Sequence, residues 1–133
     1  MTQLQRSGAV LYAKDVARVA EFYARIVGLE IRRAGKNLMV LESSVFQLVV
    51  HEIPRHLADK ITIDQPPVRR EGNPTKLVFF VESIANIRNT AVSLGGMLNP
   101  VEREWQFEED KVCDGHDPEG NVFQLRQPNA VSL

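Results

Sequence analysis

The sequence predicts an α+β fold built from two copies of one β-α-β-β-β unit, and three observations support this. Residues 11–28 (LYAKDVARVAEFYARIVG) align with residues 79–96 (FFVESIANIRNTAVSLGG) after a shift of 68 positions. Residues 45–48 (VFQL) recur as residues 122–125 after a shift of 77, which predicts an insertion of nine residues around positions 101–110. The two longer segments, 11–28 and 79–96, also share the pattern of a strand end, a capped helix and a closing glycine, as expected of a structural repeat.

The first copy has clear helix boundaries and three strand patterns. Asp15 is a predicted N-cap, because its carboxylate can accept the free N–H groups of the first turn, and Gly28 is expected to end the helix. The apolar residues between them recur at spacings of three and four, which indicates one buried helical face. They are Val16, Val19, Phe22, Tyr23, Ile26 and Val27. Strands are predicted over residues 29–34, 37–42 and 45–52, with short turns between them.

The second copy repeats this order. Ser83 is the predicted N-cap and Gly96 the closing glycine of a helix whose apolar face comprises Ile84, Ile87, Ala91 and Leu94. Strands are predicted over residues 97–102, 111–115 and 121–127, with a turn at 117–120.

The chain is therefore predicted to be one domain, 1–133, with its first module at about 6–52 and its second at about 76–128. The linker between them, 53–75, contains four prolines, and its charged residues Arg69, Arg70 and Glu71 are interpreted as a solvated loop surface.

Composition excludes several classes of function. Sixteen basic and seventeen acidic side chains give a net charge of −1, so a nucleic-acid or membrane-surface partner is not expected. No apolar run is long enough to span a bilayer, and the polar start of the chain has no signal-peptide core, so secretion is not expected. Cys113 is the only cysteine and offers neither a disulfide nor a metal-binding pair, which favours a reducing cytoplasm.

Two sequence segments carry a family resemblance. Together with the repeat, KDVARVAEFYARIVGLEI (14–31) and DGHDPEGNVFQL (114–125) resemble the vicinal oxygen chelate superfamily of glyoxalases, bleomycin-resistance proteins and ring-cleaving dioxygenases. The resemblance covers nearly the whole chain. It implies a curved, eight-stranded mixed sheet that forms a cup, with helices outside and a ligand site inside.

The resemblance also implies where metal ligands would lie. In metal-using members they stand on the first and last strands of each module, and these positions are Gly8, Gln47, Lys76 and Gln124 in this chain. Glycine has no ligand atom, a protonated lysine repels a cation, and amide oxygens are weak ligands. We therefore expect no cofactor and no metal at the usual centre, while a divalent metal at an atypical site stays an alternative.

Strand alternation predicts the side chains that line the cup, because alternate residues share a face. The predicted ligand-binding residues combine aromatic rings, two amides, two cations and one histidine, with Trp105 either a lid over the ligand or a plug at the rim. This mixture suits a small, partly apolar organic molecule that carries negative charge. The set is Tyr12, Gln47, His51, Lys76, Phe80, Trp105, Gln124 and Arg126.

Individual roles within this set stay open. His51 is the candidate for proton transfer, or it is a structural histidine. Lys76 is an anion anchor, a base, or a side chain that extends into solvent. Gln47 and Gln124 bind either a ligand or each other.

The predicted function is a small-molecule-binding protein of the bleomycin-resistance kind. The alternatives are a lyase, isomerase or dioxygenase-like enzyme that uses His51, Lys76 or an atypical metal site, and an interaction protein whose cup is vestigial. A homodimer is expected, since dimers are the commonest assembly and the proline-rich linker suits an extended crossing. The modules are expected to pair either within one chain or between two chains.

Overall fold

The computed structural model describes residues 5–129, and the chain divides into two compact units, Met1–Thr62 and Ile63–Leu133. Each unit contains a mixed β-sheet packed against one long helix, which confirms the predicted α+β fold class. The division falls inside the predicted linker. Residues 1–4 of the polar N-terminal segment lie outside the described residues. Within residues 5–129, no helix has the length and apolar character needed to cross a membrane.

Unit 1 has a four-stranded sheet in the order β1-β4-β3-β2. Strands β1 and β4 are parallel, and the other neighbours are antiparallel. Its elements are β1 (Ser7–Ala13), α1 (Val16–Val27), β2 (Glu30–Ala34), β3 (Leu38–Glu42), β4 (Phe46–Glu52) and the short helix α2 (Arg55–Ala58). Helix α2 was not predicted, and it follows Pro54, whose fixed φ suits the start of a helix.

Helix α1 has the predicted boundaries. The carboxylate of Asp15 accepts the backbone N–H of Arg18 at 3.1 Å, and Gly28 ends the helix with φ 76° in the left-handed region. The predicted face is buried at Val19, Phe22 and Tyr23, which are at most 1% exposed. This burial stabilises the unit by about 25 cal/mol for each Å² of apolar surface removed from water.

Unit 2 has the sheet order β5-β9-β8-β6, and strand β7 pairs with β8. Strands β5 and β9 are parallel, and the other pairs are antiparallel. Its elements are β5 (Leu77–Phe80), α3 (Ile84–Ser93), β6 (Met97–Leu98), the 3₁₀ helix η1 (Val101–Arg103), β7 (Trp105–Phe107), β8 (Asp110–His116) and β9 (Val122–Pro128).

Two details of the second copy differ from the prediction. The strand predicted at 97–102 ends at Leu98, because Pro100 has no N–H to continue the ladder and precedes η1. The glycine with positive φ after α3 is Gly95, at 94°, and not Gly96. The expected insertion at 101–110 contains η1 and β7, so it is structured and extends the sheet.

The parallel strand pairs have different registers in the two units. Gly8 lies opposite Gln47 in unit 1, whereas Val78 lies opposite Gln124 in unit 2. If the two units are aligned by the residue opposite the glutamine, Gly8 corresponds to Val78 and Arg6 corresponds to Lys76. This differs by two residues from the alignment by helix caps, in which Lys76 corresponds to Gly8.

Candidate functional site

In each unit as far as the structure describes it, one face of the sheet packs against the long helix, α1 or α3, and the opposite face does not. We call this opposite face the helix-free face of that unit. Leu48 and Val50 of β4 are fully buried under α1, whereas Val10 and Tyr12 of β1 are 58% and 52% exposed. In unit 2, Leu125 is likewise buried, and Phe80 is 61% exposed. Val10, Tyr12 and Phe80, which strand alternation assigns to the ligand face, are thus exposed to solvent.

In unit 1, the predicted ligand position Gln47 on β4 belongs to a charged cluster around Glu42 on β3. Its Nε2 donates to Oε2 of Glu42 at 3.0 Å, and a guanidinium nitrogen of Arg6 donates to the same oxygen at 2.9 Å. Arg32 lies 3.6 Å from the other carboxylate oxygen. The hydrogen bonds from Gln47 and Arg6 lower the pKa of the Glu42 carboxyl, so it is an anion at neutral pH.

In unit 2, Gln124 occupies a similar cluster. Its Nε2 donates to Oδ1 of Asp114 at 3.2 Å, and Nζ of Lys76 donates to the other oxygen at 2.8 Å. Gln124 also accepts a 2.8 Å bond from Nε of Arg126 through its Oε1. The side chain of Gln124 thus connects the carboxylate of Asp114 to the guanidinium of Arg126. Gln124 is buried, with 9% of its surface exposed.

The two units therefore repeat a cation–carboxylate–glutamine triad. Its members are Arg6, Glu42 and Gln47 in unit 1, and Lys76, Asp114 and Gln124 in unit 2. Both carboxylates lie directly opposite their glutamine on the neighbouring antiparallel strand. Sequence reasoning missed them, because it considered only the first and last strands of each module.

The helix-free face of unit 2 combines this triad with aromatic side chains. The guanidinium carbon of Arg126 lies 4.6 Å from the ring centre of Phe107 and 5.8 Å from that of Phe80. Phe107 and Trp105 are alternate residues of β7 and are 44% and 42% exposed. Phe107 was missed because its segment was assigned to a loop, although its position two residues after Trp105 was a usable signal.

His51 lies in unit 1 and so is not part of the cluster around Gln124. Its Nδ1 is 2.8 Å from the carbonyl oxygen of Glu52, and its ring centre is 5.5 Å from that of Tyr12. Since a carbonyl can only accept, Nδ1 is the donor of this contact, and Nε2 is the ring nitrogen left for another partner. His51 also lines a cavity of about 440 Å³ together with Lys36, Arg55 and neighbouring residues.

The four positions implied for metal ligands do not fit a divalent metal site. A Cβ atom added at Gly8 would lie 2.8 Å from the carbonyl oxygen of Gln47, so a histidine there requires a backbone shift. Lys76 is ion-paired, and the amide nitrogens of both glutamines donate to carboxylates. Nor do three or more His, Cys, Asp or Glu side chains form a potential metal cluster within the part of the chain that the structure describes.

Two linker residues are placed differently from their interpretation as a solvated loop surface. Arg69 and Arg70 are half-buried, and Nε of Arg69 donates to Nδ1 of the buried His116 at 2.8 Å. The solvated-loop interpretation is therefore wrong for these two arginines. Cys113 is fully buried, and burial raises the pKa of its thiol, which disfavours a nucleophile.

Comparison with known proteins shows the family of the chain. The sequence profile of the glyoxalase-like domain matches residues 8–126, so the chain belongs to the glyoxalase-like domain family within the vicinal oxygen chelate superfamily. A search of curated protein sequences found no match.

Solved structures with the same fold share little sequence with this chain. A glyoxalase/bleomycin resistance protein/dioxygenase family enzyme from Burkholderia phytofirmans has a TM-score of 0.67 at 15% identity, covering 94% of this chain and 99% of its own. The fosfomycin resistance protein FosX from Listeria monocytogenes has a TM-score of 0.64 at 15% identity, covering 100% and 96%. A bleomycin-binding protein from Streptomyces verticillus, complexed with copper(II)-bleomycin, has a TM-score of 0.57 at 15% identity, covering 97% and 100%. At these identities the similarity establishes the fold alone.

Proposed function

We propose that this protein binds a small, partly apolar, anionic molecule and does so without the usual metal centre of its superfamily. The observation that carries the proposal is the position of Arg126, whose guanidinium lies against exposed aromatic rings on the helix-free face of unit 2. An aromatic surface binds an apolar body, and a guanidinium beside it binds a carboxylate or phenolate.

The charge balance of this face supports an anionic ligand. Asp114 is already paired with Lys76 and hydrogen-bonded by Gln124, so its negative charge is compensated. Arg126 has no carboxylate within ion-pair distance among residues 5–129, and its contacts are a neutral amide and aromatic rings. An incoming anion would therefore meet a cation whose charge is not compensated.

One structural relative is described as a binding protein and not by a reaction. The Streptomyces verticillus relative is a bleomycin-binding protein. A binding role on this fold is consistent with the absence of a fitting metal-ligand set at Gly8, Gln47, Lys76 and Gln124.

The test uses matched pairs of small aromatic acids and amines with the same carbon skeleton, such as benzoate and benzylamine. We expect the acids to raise the melting temperature and the amines to have no such effect. Arg126→Gln should remove the response to acids, while Arg25→Gln, which removes an exposed charge on α1, should keep it. Preferential stabilisation by the amines would contradict the anionic preference.

A second candidate function is supported by His51. Its Nε2 is available as a proton acceptor beside a cavity of unit 1, which is the arrangement required of a general base in a metal-independent lyase or isomerase. Lys76 is less suited to this role because its ammonium is ion-paired with Asp114. If a bound molecule is identified, its turnover by wild-type protein and by His51→Gln separates the two functions. Turnover that is lost in the variant would favour the enzyme.

A further inference from the structure

The second half of the linker is fixed to the turn between β8 and β9. The backbone N–H of Arg70 donates to the carbonyl of Gly120 at 2.9 Å, and Arg69 is bonded to His116. Gly120 has φ +85°, and a Cβ there would lie 2.1 Å from the carbonyl oxygen of Val68. Only glycine satisfies both constraints, so the turn holds two consecutive arginines in a defined position.

These arginines line a cavity of about 290 Å³ in unit 2. Its wall also contains Arg103, from the end of η1, and the ion pair of Lys76 with Asp114. The charged side chains of the wall are four cations and two carboxylates, the second carboxylate being the exposed Glu71, which gives a net formal charge of +2. Asn73 and Asn99 add neutral hydrogen-bonding groups.

The cations of this wall have unused hydrogen-bonding capacity. Nη2 of Arg70 is buried and has no hydrogen-bond partner among residues 5–129. Among residues 5–129, Arg69 and Arg103 also have no carboxylate within ion-pair distance. Arg88, by contrast, is paired with Glu104. A buried, unsatisfied guanidinium nitrogen is costly, and native proteins usually satisfy such a group with a ligand, an ion or water.

We propose that this cavity is a binding site for a dianionic oxyanion, of the kind carried by a small phosphate monoester. The arginines present planar N–H donors suited to phosphate oxygens, and a phosphate group carries about −1.5 to −2 charges at neutral pH, which matches the net charge of the wall. The cavity shares the Lys76–Asp114 ion pair with the helix-free face of unit 2, but the proposal rests on Arg69, Arg70 and Arg103 and not on the function proposed for Arg126.

The probe is inorganic phosphate, titrated into the full-length protein by calorimetry at constant ionic strength. Wild-type protein should bind phosphate and should bind acetate, a monoanion, more weakly. Arg70→Gln and Arg103→Gln should each weaken phosphate binding at least about tenfold, equivalent to about 1.4 kcal/mol. Arg25→Gln, with the same change in net charge, should leave the affinity within about twofold.

A second readout separates binding from folding. In phosphate-free buffer, Arg70→Gln should melt at the same temperature as wild type or higher, because it removes a buried donor without a partner. Three results would overturn the proposal: no phosphate binding by wild type at millimolar concentration, equal affinity in Arg70→Gln and Arg25→Gln, or acetate bound as tightly as phosphate. The benzoate response should survive in Arg70→Gln and vanish in Arg126→Gln, so failure of this site and failure of the proposed function are distinguishable.

Discussion

Gln124 illustrates how one residue can connect the charges of a site. Its amide nitrogen bonds to Asp114 and its amide oxygen bonds to Arg126, so the two ends of the side chain match the two charges they contact. A glutamate would place a negative oxygen against Asp114, and a leucine would leave both partners without the bond. Among residues 5–129, the side chain of Gln47 bonds only to Glu42, and it is half-buried, so its replacement should cost less stability.

Replacing Gln124 with leucine tests this role. We expect Gln124→Leu to lower the free energy of unfolding by about 1–3 kcal/mol, because partly buried charged groups lose a hydrogen bond. Gln106→Leu is the control, since Gln106 is exposed on β7, and its effect should be within about 0.5 kcal/mol. Urea melts of both variants measure the difference. A Gln124→Leu protein as stable as wild type would contradict the structural role and leave ligand binding as the reason for this residue.

His116 should make stability depend on pH. Burial, and then the charge of Arg69, lower the pKa of His116 below its usual value, and its neutral Nδ1 accepts the bond from Arg69. Because the folded pKa is below the unfolded one, this stability is fully present above pH about 6.5 and is lost as the pH falls through the folded pKa.

Urea melts between neutral and mildly acidic pH measure this dependence. His116→Gln keeps an acceptor for Arg69 but cannot titrate, so its stability should fall less with decreasing pH than that of wild type. Parallel pH profiles for the two proteins would show that His116 is not the titrating group.

At the scale of elements, local signals in the sequence predicted most of the fold. The caps Asp15 and Ser83 begin their helices as expected, since capping depends on residues within one turn. Contacts between strands were harder to predict. Asp114 and Glu42 reach the glutamines through strand register, and the register of β5 with β9 differs by two residues from the alignment of the caps. A sequence pattern fixes the face of a strand but not its neighbour's register.

The contacts of the linker were also not predictable from local sequence patterns. The sequence predicts that Arg69 and Arg70 are solvated, because charged side chains in a linker are mostly exposed. Their partners, His116 and Gly120, lie about 50 residues further along the chain and are brought close only by the fold.

Gly120 and Gly72 provide a matched pair of glycine substitutions. Gly120→Ala should lower the free energy of unfolding by more than about 1 kcal/mol, since it combines a positive φ with a clash against Val68. Gly72→Ala, in open space within the linker, should change stability by no more than about 0.5 kcal/mol. Thermal and urea melts measure both. If the two substitutions have equal effects, the linker is not held at the Gly120 turn.

At the scale of the whole molecule, both sheets leave edge strands and apolar side chains exposed. Strand β2 is exposed along its whole length at one edge of its sheet, and Val10, Tyr12 and Phe80 are more than half exposed. Exposed edges and apolar surfaces are commonly covered by a partner in stable proteins. These features support the proposal of a homodimer, in which the modules pair either within one chain or between chains.

Light scattering coupled to gel filtration tests the dimer. We expect a mass of about 30 kDa at micromolar concentration, twice the chain mass of 15.0 kDa. The mass should persist at moderate salt, because the exposed surface involved is largely apolar. A mass near that of one chain would exclude the dimer.

The proposal that this chain binds a small anionic molecule without the usual metal centre is tested most directly by native mass spectrometry. The protein should be purified quickly, without chelator, and measured before and after mild denaturation. We predict a mass increment of a small organic acid or phosphate, released on denaturation, and no stoichiometric divalent metal. An increment corresponding to one zinc, manganese, nickel or iron ion per chain, with no organic molecule, would contradict the proposal.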